Sequence, residues 1–258
     1  MDIRLNGKNA LVCGSTQGIG KAAALELARL GANVTLFARN KDRLEQTHLL
    51  LDKSGEQHHH VLVADFDDND QVASAVSDHH DFHILVNNTG GPPAGRAIEA
   101  NQEEYIAAFN NHLLNNQLIT RALVPFMEME KYGRIINIIS TSVKIPIRGL
   151  GVSNTIRGAV ANWAKTLAGE LAPLGITVNN VLPGATDTTR LRNLISNKAA
   201  KLAIPPEKIE KDMISEIPLG RFASPEEVGG VIAFLATPAA SYVNGVNVPV
   251  DGGRTGSL

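Results

Sequence analysis

Short β-branched runs alternate along the chain with longer stretches whose apolar positions recur at helical spacing. The runs ALVC (10–13), NVTLFA (33–38), HHVLVAD (59–65), HILVNN (83–88), GRIINIIS (133–140), ITVNNVL (176–182) and VNVPV (246–250) read as strands. Between them, KAAALELARLG (21–31), the charged stretch 40–54, residues 69–79, a long segment about 101–130, residues 153–172 and SPEEVGGVIAFLA (224–236) predict helices. The strands are almost continuously apolar, so neither face of the sheet is wet. Seven such strands joined by helical crossovers predict an α/β fold: a doubly wound, mostly parallel sheet with helices on both faces. No break suggests a second domain, and one domain over 1–258 is expected. Residues 184–218 are the least regular part. Following the sixth strand, they predict either a flap over a bound ligand or a solvated connection.

With 258 residues, 43% of them hydrophobic, and 23 glycines, the chain is long enough for a substantial core with many tight turns. The formal charge of −2 offers no basic field for a nucleic-acid backbone, and no such partner is expected. Cys13 is the sole cysteine, which excludes an intramolecular disulfide; its place in NALVC predicts a buried small residue. The opening MDIRLNGKNA has no signal-like apolar run, and nothing reaches the roughly 18 apolar residues of a membrane span. A soluble, cytoplasmic protein with no membrane partner is expected. The HHH at 58–60 lacks convergent acidic or thiol ligands, so a solvated turn and strand start is expected rather than a metal site.

The strongest local signal is VCGSTQGIGKAAALELARLGANVTLFARN. Gly14, Gly18 and Gly20, with Ser15, Thr16, Gln17 and Ile19 between them, join a strand to an amphipathic helix. Small residues there let the backbone approach a pyrophosphate, and the helix amide end faces the charge. The next strand ends in Arg39 and Asn40, where an acid would accept from a ribose diol and favour NAD. Arginine pairs with a 2′-phosphate and leaves no carboxylate to repel it, so NADP(H) is expected. The alternative is an Arg39 that points to solvent. Asp65 and Phe66 end the third strand, where Asp65 is a candidate acceptor for the adenine amino group. Asn88 to Gly90 end the fourth, beside the adenosine ribose.

Together, GSTQGIG (14–20), NNTGG (87–91), GRIINIIS (133–140), GITVNNVLPGATDTT (175–189) and VNGVNVPVDGG (243–253) resemble the short-chain dehydrogenase/reductase family over essentially the whole chain. The nearest flavour is the beta-ketoacyl carrier-protein reductase-like branch. The resemblance implies a Rossmann-like domain, assembled as a homodimer or homotetramer through its long helices. It places Asn88 by the cofactor ribose, and Pro183, Gly184 and Thr188 on the nicotinamide side. It also implies a catalytic Asn-Ser-Tyr-Lys set. Of these the serine is present as Ser140. The Asn position, 22 residues after Gly90, holds His112; the Tyr position, 13 after Ser140, holds Ser153; the Lys position holds Arg157.

These replacements change the chemistry. A serine hydroxyl is shorter and a far weaker acid than a phenol, so Ser153 donates only through a shifted substrate or backbone or through a relayed water with its own proton source. Arg157 stays protonated and cannot shuttle a proton, but it pairs with ribose hydroxyls or a substrate carboxylate and stabilises an alkoxide. A purely structural Arg157 is the alternative. His112 brings a titrating group as a direct acid, an organiser of water and backbone, or an ordinary helix histidine. Lys144 overhangs the nicotinamide or is solvated. None of Tyr105, Tyr132 and Tyr242 stands close in sequence to the altered site. Two accounts follow: an NADP(H)-dependent oxidoreductase of a small carbonyl or alcohol substrate, or a weak or inactive cofactor-binding protein serving as sensor or partner subunit.

Overall fold

The computed structural model describes residues 1–257. Seven strands form one sheet: β1 (Asn9–Cys13), β2 (Asn33–Ala38), β3 (His60–Val63), β4 (Ile84–Asn87), β5 (Gly133–Ile138), β6 (Ile176–Pro183) and β7 (Asn247–Val250). Their order is β3-β2-β1-β4-β5-β6-β7, and every neighbouring pair is parallel. The sheet is therefore wholly parallel, and all seven expected strands are present.

Alternation along each strand explains the continuous apolar runs. In β1, Ala10 and Val12 join a core shared with α1 (Gly18–Arg29), α2 (Lys41–His48) and α9 (Pro225–Ala236). Leu11 and Cys13 point the other way. They join a core with α3 (Asn69–Ser77), α5 (Asn115–Met129) and α6 (Gly151–Leu171). Both faces are thus covered, and successive side chains serve opposite cores. Cys13 is buried, and that burial pushes its thiol up to about 12. Small residues bring α1 and α9 together: a Cβ on Gly229 would meet the Ala22 backbone at 3.0 Å. A Ser224–Glu227 capping box, with Pro225 just inside, sets the start of α9.

Three expected elements differ. The charged stretch 40–54 is helical only as far as His48, where Leu49 to Gly55 form turns. The long helix is α4 (Gln102–Phe109) and α5 joined by one π turn, Asn110–Leu114, which carries His112. Residues 184–218, expected to be irregular, hold α7 (Thr189–Leu202) and α8 (Pro206–Ser215). Their apolar positions are sparse, but Leu191, Ile195 and Ala199 recur every fourth residue and close with Ile209, Ile217 and Phe222 into a separate small core. The histidine turn also needs correction. His59 is buried, with Nδ1 accepting from Val34 N at 3.0 Å and Nε2 against Asp52 O at 2.8 Å. The residue next to the β3 start thus extends the β2 pairing with a side chain. Among the described residues no helix is long and apolar enough to cross a membrane.

Strand order reverses between β1 and β4. The carboxyl ends of the strands there open a crevice into which the β1–α1, β2–α2 and β4–α4 loops converge.

Candidate active site

The β1–α1 turn is built for a close approach. Gly14 and Gly18 have φ of 59° and 56°, in the left-handed region that favours glycine. A Cβ on Gly14 would lie 2.6 Å from Asn88 O, and one on Gly20 would collide with Gly14 O. Asn88 Nδ2 donates to Cys13 O and Gly14 O, both at 3.3 Å, so its side chain fixes the turn to the end of β4. The Ser15 hydroxyl is fully buried and accepts from Phe37 N at 3.0 Å, which leaves only its backbone for a ligand. Thr16 is half-buried, Gln17 is exposed, and Ile19 packs on the core.

Gln17 gives α1 no side-chain cap, and no acid stands in its first turn, whereas α2, α3, α4, α7 and α9 all have side-chain caps. An uncapped amino end behind a glycine cradle fits a pyrophosphate. Gly90 is open: a Cβ there would meet nothing within 4 Å. From the far wall, Thr188 Cγ2 stands 3.1 Å from where a Gly18 Cβ would be. Thr188 itself caps α7, accepting from Leu191 N. Half-buried Pro183 ends β6, and Gly184 packs so closely on Asp251 that a Cβ would lie 2.7 Å from its Cα.

At the adenosine end, the Arg39 side chain is 70% exposed, with Nη1 3.5 Å from Asp65 Oδ2 and 3.8 Å from Asp67 Oδ2. The expectation of a carboxylate-free pocket is thus corrected. The acids come from the end of the neighbouring strand β3 rather than from β2. Such long, exposed pairs contribute little and are easily exchanged for a better anion. Asn40 caps α2 by accepting from Arg43 N, and Asp65 Oδ1 accepts from Asp67 N. The Phe66 ring packs on Phe37 with centroids 5.0 Å apart.

The β5 end and α6 position the reaction side. Ser140 Oγ accepts from Ser142 N at 3.1 Å, leaving its proton free to donate toward the cleft. Ser153 and Arg157, one turn apart on α6, are both buried. Arg157 Nη1 donates to Ile138 O at 2.8 Å, and no other hydrogen-bond partner stands among the described residues. Burial, with the Arg190 charge adding, lowers the Arg157 guanidinium to about 10, so it remains a cation at neutral pH.

The π turn carries His112 inward until only 2% of it is exposed, with Nδ1 2.6 Å from Thr89 Oγ1. Burial, then the charges of Arg157 and Arg190, pushes its pKa down to about 2. An imidazolium acid is therefore not available near neutrality, and His112 works as a neutral ring anchored to Thr89. Tyr132 donates to Ala236 O at 2.6 Å, Tyr105 packs against Val152 and Ile156, and Tyr242 is exposed.

Two further residues join the site: Thr89, within the Asn88–Gly90 strand end, and Arg190, which no motif marks. Arg190 Nη1 and Nη2 donate to Gly91 O and Pro92 O at 2.8 and 3.2 Å, clasping α7 to the loop after β4. Its sequence signal was a cation in the first turn of a helix, where the macrodipole disfavours one.

Comparison with known proteins agrees with this architecture. Residues 14–255 match the family described as Enoyl-(Acyl carrier protein) reductase. The chain is 31% identical to NADPH-dependent reductase BacG of Bacillus subtilis, covering 98% of this chain and 100% of that one. It is 34% identical to the 3-oxoacyl-[acyl-carrier-protein] reductase FabG of Pseudomonas aeruginosa, covering 96% and 98%. The crystal structure of L-sorbose reductase from Gluconobacter frateurii, complexed with NADPH and L-sorbose, superposes with a TM-score of 0.92 at 29% identity, covering both chains fully. The glycine cradle, the parallel sheet and these matches across nearly the whole length make the chain a member of the short-chain dehydrogenase/reductase family of oxidoreductases.

Proposed function

We propose that the chain is an NADP(H)-dependent oxidoreductase of a carbonyl/alcohol pair, of 3-oxoacyl reductase-like type, in which Ser153 and Arg157 replace the family's tyrosine and lysine. The observation that carries this reading is the uncapped α1 end behind the Gly14–Gly20 cradle, at the same carboxyl edge of the parallel sheet as Ser140 and the Arg157–Ile138 bond. Relatives described as an NADPH-dependent reductase and as 3-oxoacyl reductases, and an NADPH complex of a structural neighbour, support the cofactor and the reaction class.

The Gly14–Gly20 backbone and the α1 amides would hold the pyrophosphate, with Arg39 on the 2′-phosphate and Asp65 near the adenine. Asn88, Gly90, Pro183, Gly184 and Thr188 line the way to the nicotinamide. The bound cofactor supplies the hydride. Ser140 donates to the substrate carbonyl oxygen and orients it. The fixed charge of Arg157 stabilises the negative charge that develops there, in a site that screens it poorly. Ser153 passes a proton from water to that oxygen, and the neutral His112–Thr89 pair keeps the relay oriented. Residues 184–218, as α7 and α8, would cover the substrate, held by the Arg190 clasp. Assembly as a dimer or tetramer is supported by Ile106, Phe109, Leu114 and Met129, all exposed on the α4–α5 helix.

A second reading, a cofactor sensor or partner subunit without useful turnover, is favoured by one observation: no group at the site titrates as an acid near neutrality. Single-turnover oxidation of bound NADPH separates the two. Its carbonyl panel should hold 3-oxoacyl thioesters, ketoses and oxo acids, tested on the native chain and Ser140→Ala. Turnover that Ser140→Ala slows at least tenfold is expected. Tight NADPH binding with no oxidation across the panel would leave the sensor reading standing.

A further inference from the structure

The crevice holds two guanidinium groups and no acid to match them. Arg157 is 9% exposed and has one hydrogen-bond partner, the neutral carbonyl of Ile138, for its five donors. Arg190 rests on two more neutral carbonyls, Gly91 O and Pro92 O. Neither has a carboxylate partner among the described residues. Asp187, the acid nearest to Arg190 along the chain, is already taken: Arg192 holds it at 2.7 Å and also holds Glu210 at 2.9 Å.

The cost of this arrangement is visible elsewhere in the molecule. Arg134, the other buried arginine, lies at the opposite end of the sheet and is compensated by the Tyr132 ring, 4.1 Å from its guanidinium carbon. Nothing comparable shields Arg157. Burying a charge without a counter-charge is unfavourable, so Arg157 carries that cost until an anion arrives, while Arg190 is exposed and reaches the same end of the sheet without an acid of its own.

The surroundings are shaped to keep Arg190 there. It occupies the first turn of α7, where its charge opposes the helix dipole. Gly91 leaves room for the fork as it stands, since a Cβ there would lie 2.5 Å from Nη2 and displace it. Two residues before Gly91, Thr89 holds His112. One short loop thus ties the Arg190 fork to the ring beside Arg157. The two arginines also feel each other, since the Arg190 charge helps to lower Arg157.

The geometry points to a substrate that carries a carboxylate beside its carbonyl group, a short 2-oxo or 3-oxo acid or the matching hydroxy acid, with Arg157 and Arg190 as its anion-binding groups. This rests on the oxidoreductase reading for the fate of the carbonyl, and on geometry alone for the carboxylate. Ser153 and Arg157 are one helical turn apart, roughly 5–6 Å between Cβ atoms. A carbonyl at Ser153 and a carboxylate one or two carbons away therefore span the two residues. Reduction is balanced: hydride from NADPH adds to the carbonyl carbon, a proton from water adds to its oxygen, and the carboxylate is unchanged.

The test pairs each acid with its neutral ester: acetoacetate with methyl acetoacetate, and pyruvate with methyl pyruvate. NADPH oxidation gives kcat and KM, and calorimetric titration of acetoacetate into NADP⁺-loaded protein gives binding without turnover. Native protein should prefer one of the acids over its ester at least tenfold in kcat/KM. Arg190→Gln should bring that ratio near one by raising KM for the acid, and should weaken acetoacetate binding at least tenfold, in protein whose unfolding transition is checked because the bonds to Gly91 O and Pro92 O are lost. Equal use of acid and ester, faster reduction of an acetoacetyl thioester than of either acid, or acid binding unchanged in Arg190→Gln would each overturn the carboxylate assignment and leave the redox reading intact. Arg190-dependent acetoacetate binding with no NADPH oxidation would retire the redox reading and keep the anion site.

Discussion

His112 gives the buried site a measurable signature in stability. In the unfolded chain its imidazole titrates near the reference value of 6.5; in the fold it is held to about 2 by burial and two nearby arginines. Between those values the unfolded state carries a proton that the folded state refuses. Stability therefore falls as pH falls through 6.5, and the loss continues toward 2. Each pH unit well inside the window costs about 1.4 kcal/mol. Going from pH 7 to pH 5 traverses some 1.5 units of it, so His112 alone should remove about 2 kcal/mol. His59 and His83 are also lowered by burial and act in the same direction. Absolute slopes are therefore not diagnostic, and the comparison must be a difference. His112→Asn loses the Thr89 hydrogen bond at every pH but cannot titrate. Urea unfolding at pH 7, 6 and 5 should show the native chain's advantage over His112→Asn shrinking by about 2 kcal/mol across the range. A difference constant to within about 0.5 kcal/mol would refute the reasoning. It would mean that water reaches His112 and protonates it in the fold, which would bring back direct proton donation by this residue.

Three further outcomes are expected. Asn137 bridges a buried ladder, accepting from Asn87 and donating to Asn180, which donates in turn to Asn247, all at 2.8–2.9 Å. Asn137→Ala should cost about 3 kcal/mol in urea unfolding, from two lost bonds and two buried groups left unpaired. Gly14→Ala forces a Cβ against Asn88 at a φ of 59° and should weaken NADPH binding at least tenfold by fluorescence titration, with a stability loss of about 1–3 kcal/mol. Arg39→Ala should reduce NADPH affinity at least tenfold while leaving NADH within twofold. Equal affinities for the two cofactors in the native chain would end the 2′-phosphate assignment.

The positions that the sequence disclosed and those it withheld differ for a physical reason. Strands and glycine turns are local. The two-residue period of a strand puts Ala10 and Leu11 on opposite faces, and only glycine sits easily at the φ of Gly14, so both are legible without a partner. The α7–α8 segment was missed because TRLRNLISNKAAKL commits only a narrow apolar stripe, whose value depends on Phe222 and Ile217 arriving from farther along the chain. Ser140, Ser153, Arg157 and His112 are marked as candidates by the family resemblance, which does not give their surroundings. Spacing cannot say that a π turn buries His112 until its proton is lost, or that Asp65 and Asp67 share the Arg39 charge. Three departures from local rules meet at the carboxyl edge of the sheet: α1 has no side-chain cap, Arg190 opposes its own helix dipole, and Arg157 is buried without an acid. Each is unfavourable for the fold alone, and each would become favourable with the proposed anions bound, a pyrophosphate at the first and a carboxylate at the other two. A chain that kept only the fold would gain stability by capping α1 and replacing both arginines with neutral residues. Similar departures occur elsewhere, in Arg134 buried without an acid and in α8 without a side-chain cap, so it is the meeting of three of them at one edge of the sheet, and not their rarity, that supports the proposed binding of two anions.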